Sequence, residues 1–437
     1  MVRARRRRLA LLAGVVLAAV AVAVLTRPGA QGPEGPVPPI PTLPGATHGR
    51  AVPDPLAWTP ARSAGFARRA AAGTSHLLYV RSPGGVALSA ERTLRFRKPI
   101  ERVAERVGVS ADRLEALVFL ESAGRPDARA PGGIDGAAGL TQILAQTGRD
   151  LLGMRVDTAA SARYTARIDR AVAHLKLKRA AKLSRARAKV DERFDPAKAL
   201  AATGRYLALA KRRFGREDLA FVSYHMGIGN LQSVLKAYGA GNVPYARLYF
   251  DSTPLRHAAA YTLLAGFGDD SSNYFWKLGA AEEILRLART DHAALIRQDT
   301  LQTGADDARL VLHPPGSAPG DGLQPLPDRP RDTGLRAPKG AKLRPEALAA
   351  AMYIGTVVKA ISRARPLRVV GVDDPPRGWA FAISRDYASR RQALAFQYVL
   401  DRLQVLNVIA WSRSPRAIHV AAGRRAAALE PLLSRLG

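Results

Sequence analysis

The stretch Ser110-Ala111-Asp112-Arg113-Leu114-Glu115-Ala116-Leu117-Val118-Phe119-Leu120-Glu121-Ser122 decides how this chain is read. Leu114, Leu117 and Val118 recur at helical spacing, and Glu121 falls seven residues after Leu114, on the same stripe. The spacing predicts a helix that points an ionisable carboxylate into its own core or into a cleft. A carboxyl group held against apolar side chains loses hydration of its charged form, so its pKa rises and it keeps a proton near neutral pH. That is the requirement for a general acid.

Downstream of Glu121-Ser122 come Gly124, a helix stop, then Gly139-Leu140-Thr141-Gln142-Ile143, and Phe194-Asp195-Pro196 ahead of a segment holding Gly204 and Tyr206-Leu207. Ser223-Tyr224-His225-Met226-Gly227-Ile228-Gly229-Asn230 follows. In this order the segments resemble the soluble lytic transglycosylases (SLT domains), over roughly residues 100 to 240. The resemblance implies a mainly α, lysozyme-like catalytic domain acting on peptidoglycan glycan strands. It makes Glu121 the catalytic acid and base, and gives Ser122, Gln142, Tyr224 and His225 substrate contacts. It implies no cofactor. The family has Asn-Ala-Gly after the tyrosine where this chain has His225-Met226-Gly227, and about forty residues are inserted between the Gln142 segment and Phe194.

One carboxylate suffices for the reaction the resemblance implies, in which the sugar's acetamido group assists and a 1,6-anhydro ring closes. A hydrolytic muramidase would need a second carboxylate to position water. Asp127, Asp135 and Asp150 lie in the neighbourhood, with ordinary loop or cap explanations. A non-catalytic wall-binding protein is the alternative of a different class.

The formal charge of +31 on 437 residues implies a broad positive potential that concentrates polyanions. Nucleic acid, anionic wall polymers and a membrane surface would all fit it. Arg3 and Arg5 to Arg8 precede an apolar run from Leu9 to Leu25, which is the pattern of an export signal or membrane anchor. Export disfavours nucleic acid and leaves wall polymer or membrane, with the body of the protein extracytoplasmic. The absence of cysteine excludes disulfides, thiolate metal sites and a cysteine nucleophile.

Composition divides the chain into residues 1–30 (signal or anchor), a Pro/Gly-rich spacer at 31–60, a mainly helical region at 75–300 that the resemblance makes a transglycosylase domain with helical extension, a second linker at 305–344, and a small α+β domain at 345–437. Residues 76–97 alternate as in a short hairpin around Gly84-Gly85. Residues 161–193 carry eleven Lys or Arg against three acids, with an apolar stripe of Tyr164, Ile168, Val172 and Leu175. That segment is either a packed helix with a solvated basic back or a contact for wall polymer or lipid. The aromatics Tyr245, Tyr249-Phe250 and Tyr274-Phe275-Trp276 are either core or sugar subsites.

In the last domain, Gly378-Trp379-Ala380-Phe381-Ala382-Ile383 and Ile418-His419-Val420 resemble the core of zinc D-Ala-D-Ala carboxypeptidases. Pro375, Ala382 and His419 stand where that family holds zinc, and one imidazole cannot supply the three ligands of a catalytic site. The resemblance therefore implies a degenerate peptidase domain without metal, kept for packing or for binding peptide stems. Asp373, Asp374 and Asp386 are the nearby carboxylates from which a metal site could be rebuilt.

Overall fold

The computed structural model describes residues 42–43, 52–131, 133–304, 322–372 and 378–433. Leu9 to Leu25, Asp373, Asp374 and Pro375 lie outside them. Among the described residues no helix is long and apolar enough to cross a membrane. The chain divides into two compact units. The first contains Arg81–Tyr245 and Leu263–Leu295, and the second contains the described residues of Pro36–Val80, Ala246–Thr262 and those from Ile296 onward.

The expected hairpin at 76–97 is a correction. The structure has helix α1 (Ser63–Arg81) and helix α2 (Val86–Leu94), with Gly84 and Gly85 at φ of 77° and 90° between them. The alternation around the glycines follows no single face: Tyr79 and Val86 are buried, whereas Leu77, Val80 and Leu88 are exposed. The glycines provide the left-handed turn in either case.

In the first unit, α2 is followed by α3 (Arg97–Val107) and α4 (Ala111–Ser122). Ser110 caps α4, its hydroxyl accepting from the Arg113 N–H at 3.2 Å. Helix α4 is buried on most of its circumference, through Leu114, Ala116, Leu117, Val118 and Phe119, as a central core helix must be. Its buried Glu115 accepts from Arg97 at 3.1 Å and from Arg289. Arg97 and Arg289 also share Asp112, at 2.6 and 3.2 Å. This network fixes α3 and α4 to a helix that arrives much later in the sequence.

After α4 the chain forms a hairpin of β1 (Ala137–Ala138) and β2 (Ile143–Leu144), then α5 (Ala145–Asp150). The insertion is a pair of helices, α6 (Thr158–Ala173) and α7 (Leu177–Val190), packed on each other through Ala171, Ala180 and Leu183, with Tyr164 and Ile168 against them. Only half of the expected stripe is packed: Val172 and Leu175 are 48% and 82% exposed. Next come α8 (Pro196–Phe214), α9 (Glu217–Met226), α10 (Ile228–Tyr238) and, in the same unit, α11 (Tyr274–Thr290).

Arg193, between α7 and α8, is fully buried, as is its partner Asp191. It grips Asp191 through Nε at 2.9 Å and Nη2 at 2.8 Å, and donates to the backbone oxygens of Ile134 and Gly136, each at 2.7 Å, and of Ile143 at 3.3 Å. Asp191 also accepts from Ser161 of α6 at 2.8 Å. Gly139 lies so close that a Cβ there would stand 1.8 Å from the Arg193 carbonyl oxygen. Only glycine fits that contact, and its φ of 82° has the same requirement.

The second unit has a five-stranded sheet of β3 (Leu335–Arg336), β4 (Leu367–Gly371), β5 (Ala380–Ser384), β6 (Ile409–Arg413) and β7 (Ala417–Ala422), in the spatial order β6-β7-β5-β4-β3. The β3–β4 pair is parallel and the others are antiparallel. Helices α12 (Pro345–Ser362) and α13 (Arg390–Val405) pack together in this unit. The expected class, a mainly α lysozyme-like part with a small α+β part, holds.

Strands β3 and β6 were not anticipated, β3 falling within the expected linker at 305–344, and the Pro/Gly-rich spacer ends earlier than expected. Leu56, Ala57 and Trp58 are buried in the second unit, where Arg402 donates to the Leu56 oxygen at 3.3 Å and to the Phe250 oxygen at 2.5 Å. His419 faces Ala382 across the β7–β5 ladder, and its Nε2 lies 3.1 Å from the Ser414 hydroxyl. Asp386 pairs with Arg365 at 2.9 Å.

Replacing Arg193 by methionine removes the guanidinium and leaves Asp191 buried without its cation. Breaking one side of such a pair costs about 3 to 5 kcal/mol, so urea unfolding of the first unit should shift by that amount. A loss below about 1 kcal/mol would mean that Arg193 does not hold the hairpin.

Candidate active site

Glu121 sits in the last turn of α4, and its position follows from how that helix is stopped. Ala123 takes the left-handed C-cap at φ 53° and returns its N–H to the Phe119 oxygen at 2.8 Å. Arg92 holds the Ala123 carbonyl at 3.0 Å. A Cβ on Gly124 would lie 2.5 Å from the Thr93 nitrogen, so glycine is what allows α4 to end against α2.

The Glu121 carboxyl group is pushed up to about 7 by burial, partly offset by a hydrogen bond that Tyr274 donates to Oε1 at 2.7 Å. Among the described residues no second carboxylate enters its electrostatics. Asp127, Asp135 and Asp150 are exposed. Tyr274 is buried, and its own ionisation is driven well up by burial and then by the Glu121 charge. It is therefore a fixed neutral donor.

His225 stacks on Tyr274, with ring centroids 4.8 Å apart at 24°, and its Nδ1 lies 3.2 Å from the Ser271 hydroxyl. Desolvation holds this imidazole below its usual pKa. Tyr224 donates to the Thr141 carbonyl at 2.7 Å and lies 3.2 Å from the Thr203 hydroxyl. Its ionisation is raised by burial first and by Glu121 second, which puts the carboxyl group within electrostatic reach. Tyr206 packs edge-on to it at 5.2 Å and is itself anchored to the Ser223 oxygen at 2.6 Å.

Gln142 lies in the left-handed region at φ 50°, where a non-glycine residue is uncommon. Its amide nitrogen donates to the Gly139 oxygen at 2.9 Å and to the Ala128 oxygen at 3.2 Å, which locks the loop around it. Ser122 is buried, and its hydroxyl donates back to the Val118 oxygen within its own helix at 3.2 Å.

Glu121 is thus joined to Tyr274 directly, to His225 through Tyr274, and to Tyr224 through electrostatics. Ser122 and Gln142 are engaged with nearby backbone. Sequence reasoning named Tyr274 only as core or sugar subsite and missed it as the partner of Glu121. Trp276 and Tyr245 are core, at 1% and 0% exposure.

Residues 98–243 match the family model described as "Transglycosylase SLT domain". No curated protein and no solved structure gave a match. The matched segment contains Glu121, Ser122, Gln142, Tyr224 and His225 and ends before Tyr274. The match does not reach the sheet of the second unit. The central part of this chain is therefore similar to the transglycosylase SLT domain, which is lysozyme-like.

The Glu121 environment favours the protonated form, so its contribution to stability is complete below about pH 4.5 and is lost as pH rises through about 7. A carboxyl group held at about 7 instead of 4.5 costs the ionised protein on the order of 3 kcal/mol. Glu121→Gln should therefore unfold several degrees higher than wild type at pH 8 and at nearly the same temperature at pH 4. An equal difference at both pH values would mean that the Glu121 carboxyl is not held protonated.

Proposed function

We propose that the protein is a peptidoglycan lytic transglycosylase that cleaves the β-1,4 bond between N-acetylmuramic acid and N-acetylglucosamine and leaves 1,6-anhydromuramic ends. The observation that carries this reading is a partly buried carboxyl group, Glu121, held near pKa 7 with one oxygen fixed by a buried tyrosine, inside a segment that matches a transglycosylase family. Such a group is half protonated at neutral pH and can serve first as acid and then as base.

In this mechanism Tyr274 occupies Oε1, so the transferable proton resides on Oε2. That oxygen protonates the glycosidic oxygen as the bond breaks, and the substrate's acetamido group assists at the anomeric carbon. The carboxylate then takes the proton of the C6 hydroxyl, which attacks the same carbon and closes the anhydro ring. No water is consumed and Glu121 returns to its starting state. Tyr224, braced by Thr141, Thr203 and Tyr206, is assigned the contact to the acetamido group that the resemblance implies. In this reading Gln142 and His225 contact the glycan, as the resemblance implies, and Ser122 steadies the helix end. The site requires an extracytoplasmic location, where glycan strands are found, and no cofactor.

Glu121→Gln should retain the fold and lose about 10² to 10⁴ or more in rate of release from purified sacculi, since one group performs both proton transfers. Mass spectrometry of the products should find anhydro ends without heavy oxygen from labelled water. Label in most new ends would establish hydrolysis, the muramidase alternative, and release undiminished in the variant would remove Glu121 from the reaction.

Tyr274→Phe deletes the hydrogen bond that lowers the Glu121 pKa, so that pKa should rise. The acid must be protonated for bond cleavage, so kcat/KM should fall with pH through about 7 in wild type and through a higher pH in the variant. An unmoved alkaline limb would show that Tyr274 does not tune the acid.

A further inference from the structure

The turn between α6 and α7 has no part in the site described above. Every residue from Val172 to Arg179 is exposed, including three large apolar side chains, Val172 at 48%, Leu175 at 82% and Leu177 at 64%. Around them lies a dense positive field: nine exposed Lys or Arg residues between Arg163 and Lys189 against one acid, Asp169. That acid is already paired with Arg129 at 3.2 Å.

Leu175 carries a further sign. It occupies the left-handed region at φ 54°, just past the end of α6, where glycine is the favoured residue. A leucine here strains the backbone and exposes most of its side chain, and neither effect helps the isolated fold.

We propose that this basic, leucine-tipped turn is a docking element for the surface of an anionic phospholipid bilayer, with Leu175 and Leu177 entering the interface and Lys176, Lys178 and Arg179 meeting the head-group phosphates. The combination selects the occupant. A dissolved polyanion would be satisfied by the cations alone and would gain nothing from exposed leucines. A lipid interface takes both, since apolar side chains enter its acyl boundary while basic residues meet its negative surface potential. Each basic residue near such a surface strengthens binding roughly fivefold. The inference does not depend on the chemistry assigned to Glu121.

The chain has no cysteine, so Ala173→Cys provides a single thiol for an environment-sensitive fluorophore in the full-length protein. Because the reporter sits in the turn, it reads the turn's own insertion wherever else the chain touches lipid. The expected result is a blue shift and protection from iodide with phosphatidylglycerol-containing vesicles, and neither with phosphatidylcholine alone. In the same background, Leu175→Gly with Leu177→Ser should weaken the response at least tenfold, while Leu175→Gly alone should leave the protein as stable as before or more so, because it relieves the backbone. Lytic activity on soluble glycan should not change in these variants. An unshifted reporter on anionic vesicles, an equal response to soluble polyphosphate, or a response that survives loss of both leucines would each overturn the proposal.

Discussion

The buried pair of Arg193 and Asp191 is what the geometry of the first unit depends on. A guanidinium has five donors and no acceptor, so burying one requires that its donors all find oxygen. Here the carboxylate and three backbone carbonyls supply them, two of those carbonyls from the loop that leads into β1 and one from β2. The loop is therefore held at the position that satisfies a charge, not at one set by apolar packing, which is weak in a hairpin of two-residue strands. Thr141 and Gln142 inherit that position, and the Tyr224 hydroxyl bonds to the Thr141 carbonyl. The same aspartate also accepts from Ser161, so the inserted helices are tied into the arrangement that shapes the site.

Helix α4, which carries Glu121, solves a second electrostatic problem. Two acids of α4 lie in enclosed surroundings and are treated in opposite ways. Glu115 receives two arginines, which offset much of the cost of burying it. Glu121 receives a neutral tyrosine, which fixes its orientation and leaves its desolvation largely uncompensated. Burial raises the pKa of both, and it is offset at Glu115 by two cations but at Glu121 only by one neutral donor.

The sequence was most legible where local spacing and structure coincide. Glu121 was found because an acid on a helical stripe is anomalous within a short window, and Ser110 and Gly124 marked the ends of its helix. Residues 76–97 were misread because a glycine pair between alternating residues fits a hairpin and a helix–turn–helix equally well. Arg193 left no trace, since a charged residue in a basic segment reads as solvated, and the carbonyls that bury it are some fifty residues away. Tyr274 was hidden differently. Its residue type is ordinary for a core, and its partner lies 153 residues earlier. Strand β6 was lost in the sequence between a long helix and β7, although Ile409-Ala410-Trp411 has the residue types of a strand.

The division of the first unit into Arg81–Tyr245 and Leu263–Leu295, with Ala246–Thr262 belonging to the other unit, sets the folding boundary apart from the boundary of family likeness. Helix α11 returns after that excursion and brings both Tyr274, for the acid, and Arg289, for Glu115. A fragment trimmed where the likeness ends would keep every motif residue and still expose the face of α4 that α11 covers. The unit of inheritance, as seen in the motifs, is thus smaller than the unit that can be cut out, transplanted or shuffled with the surroundings of Glu121 intact.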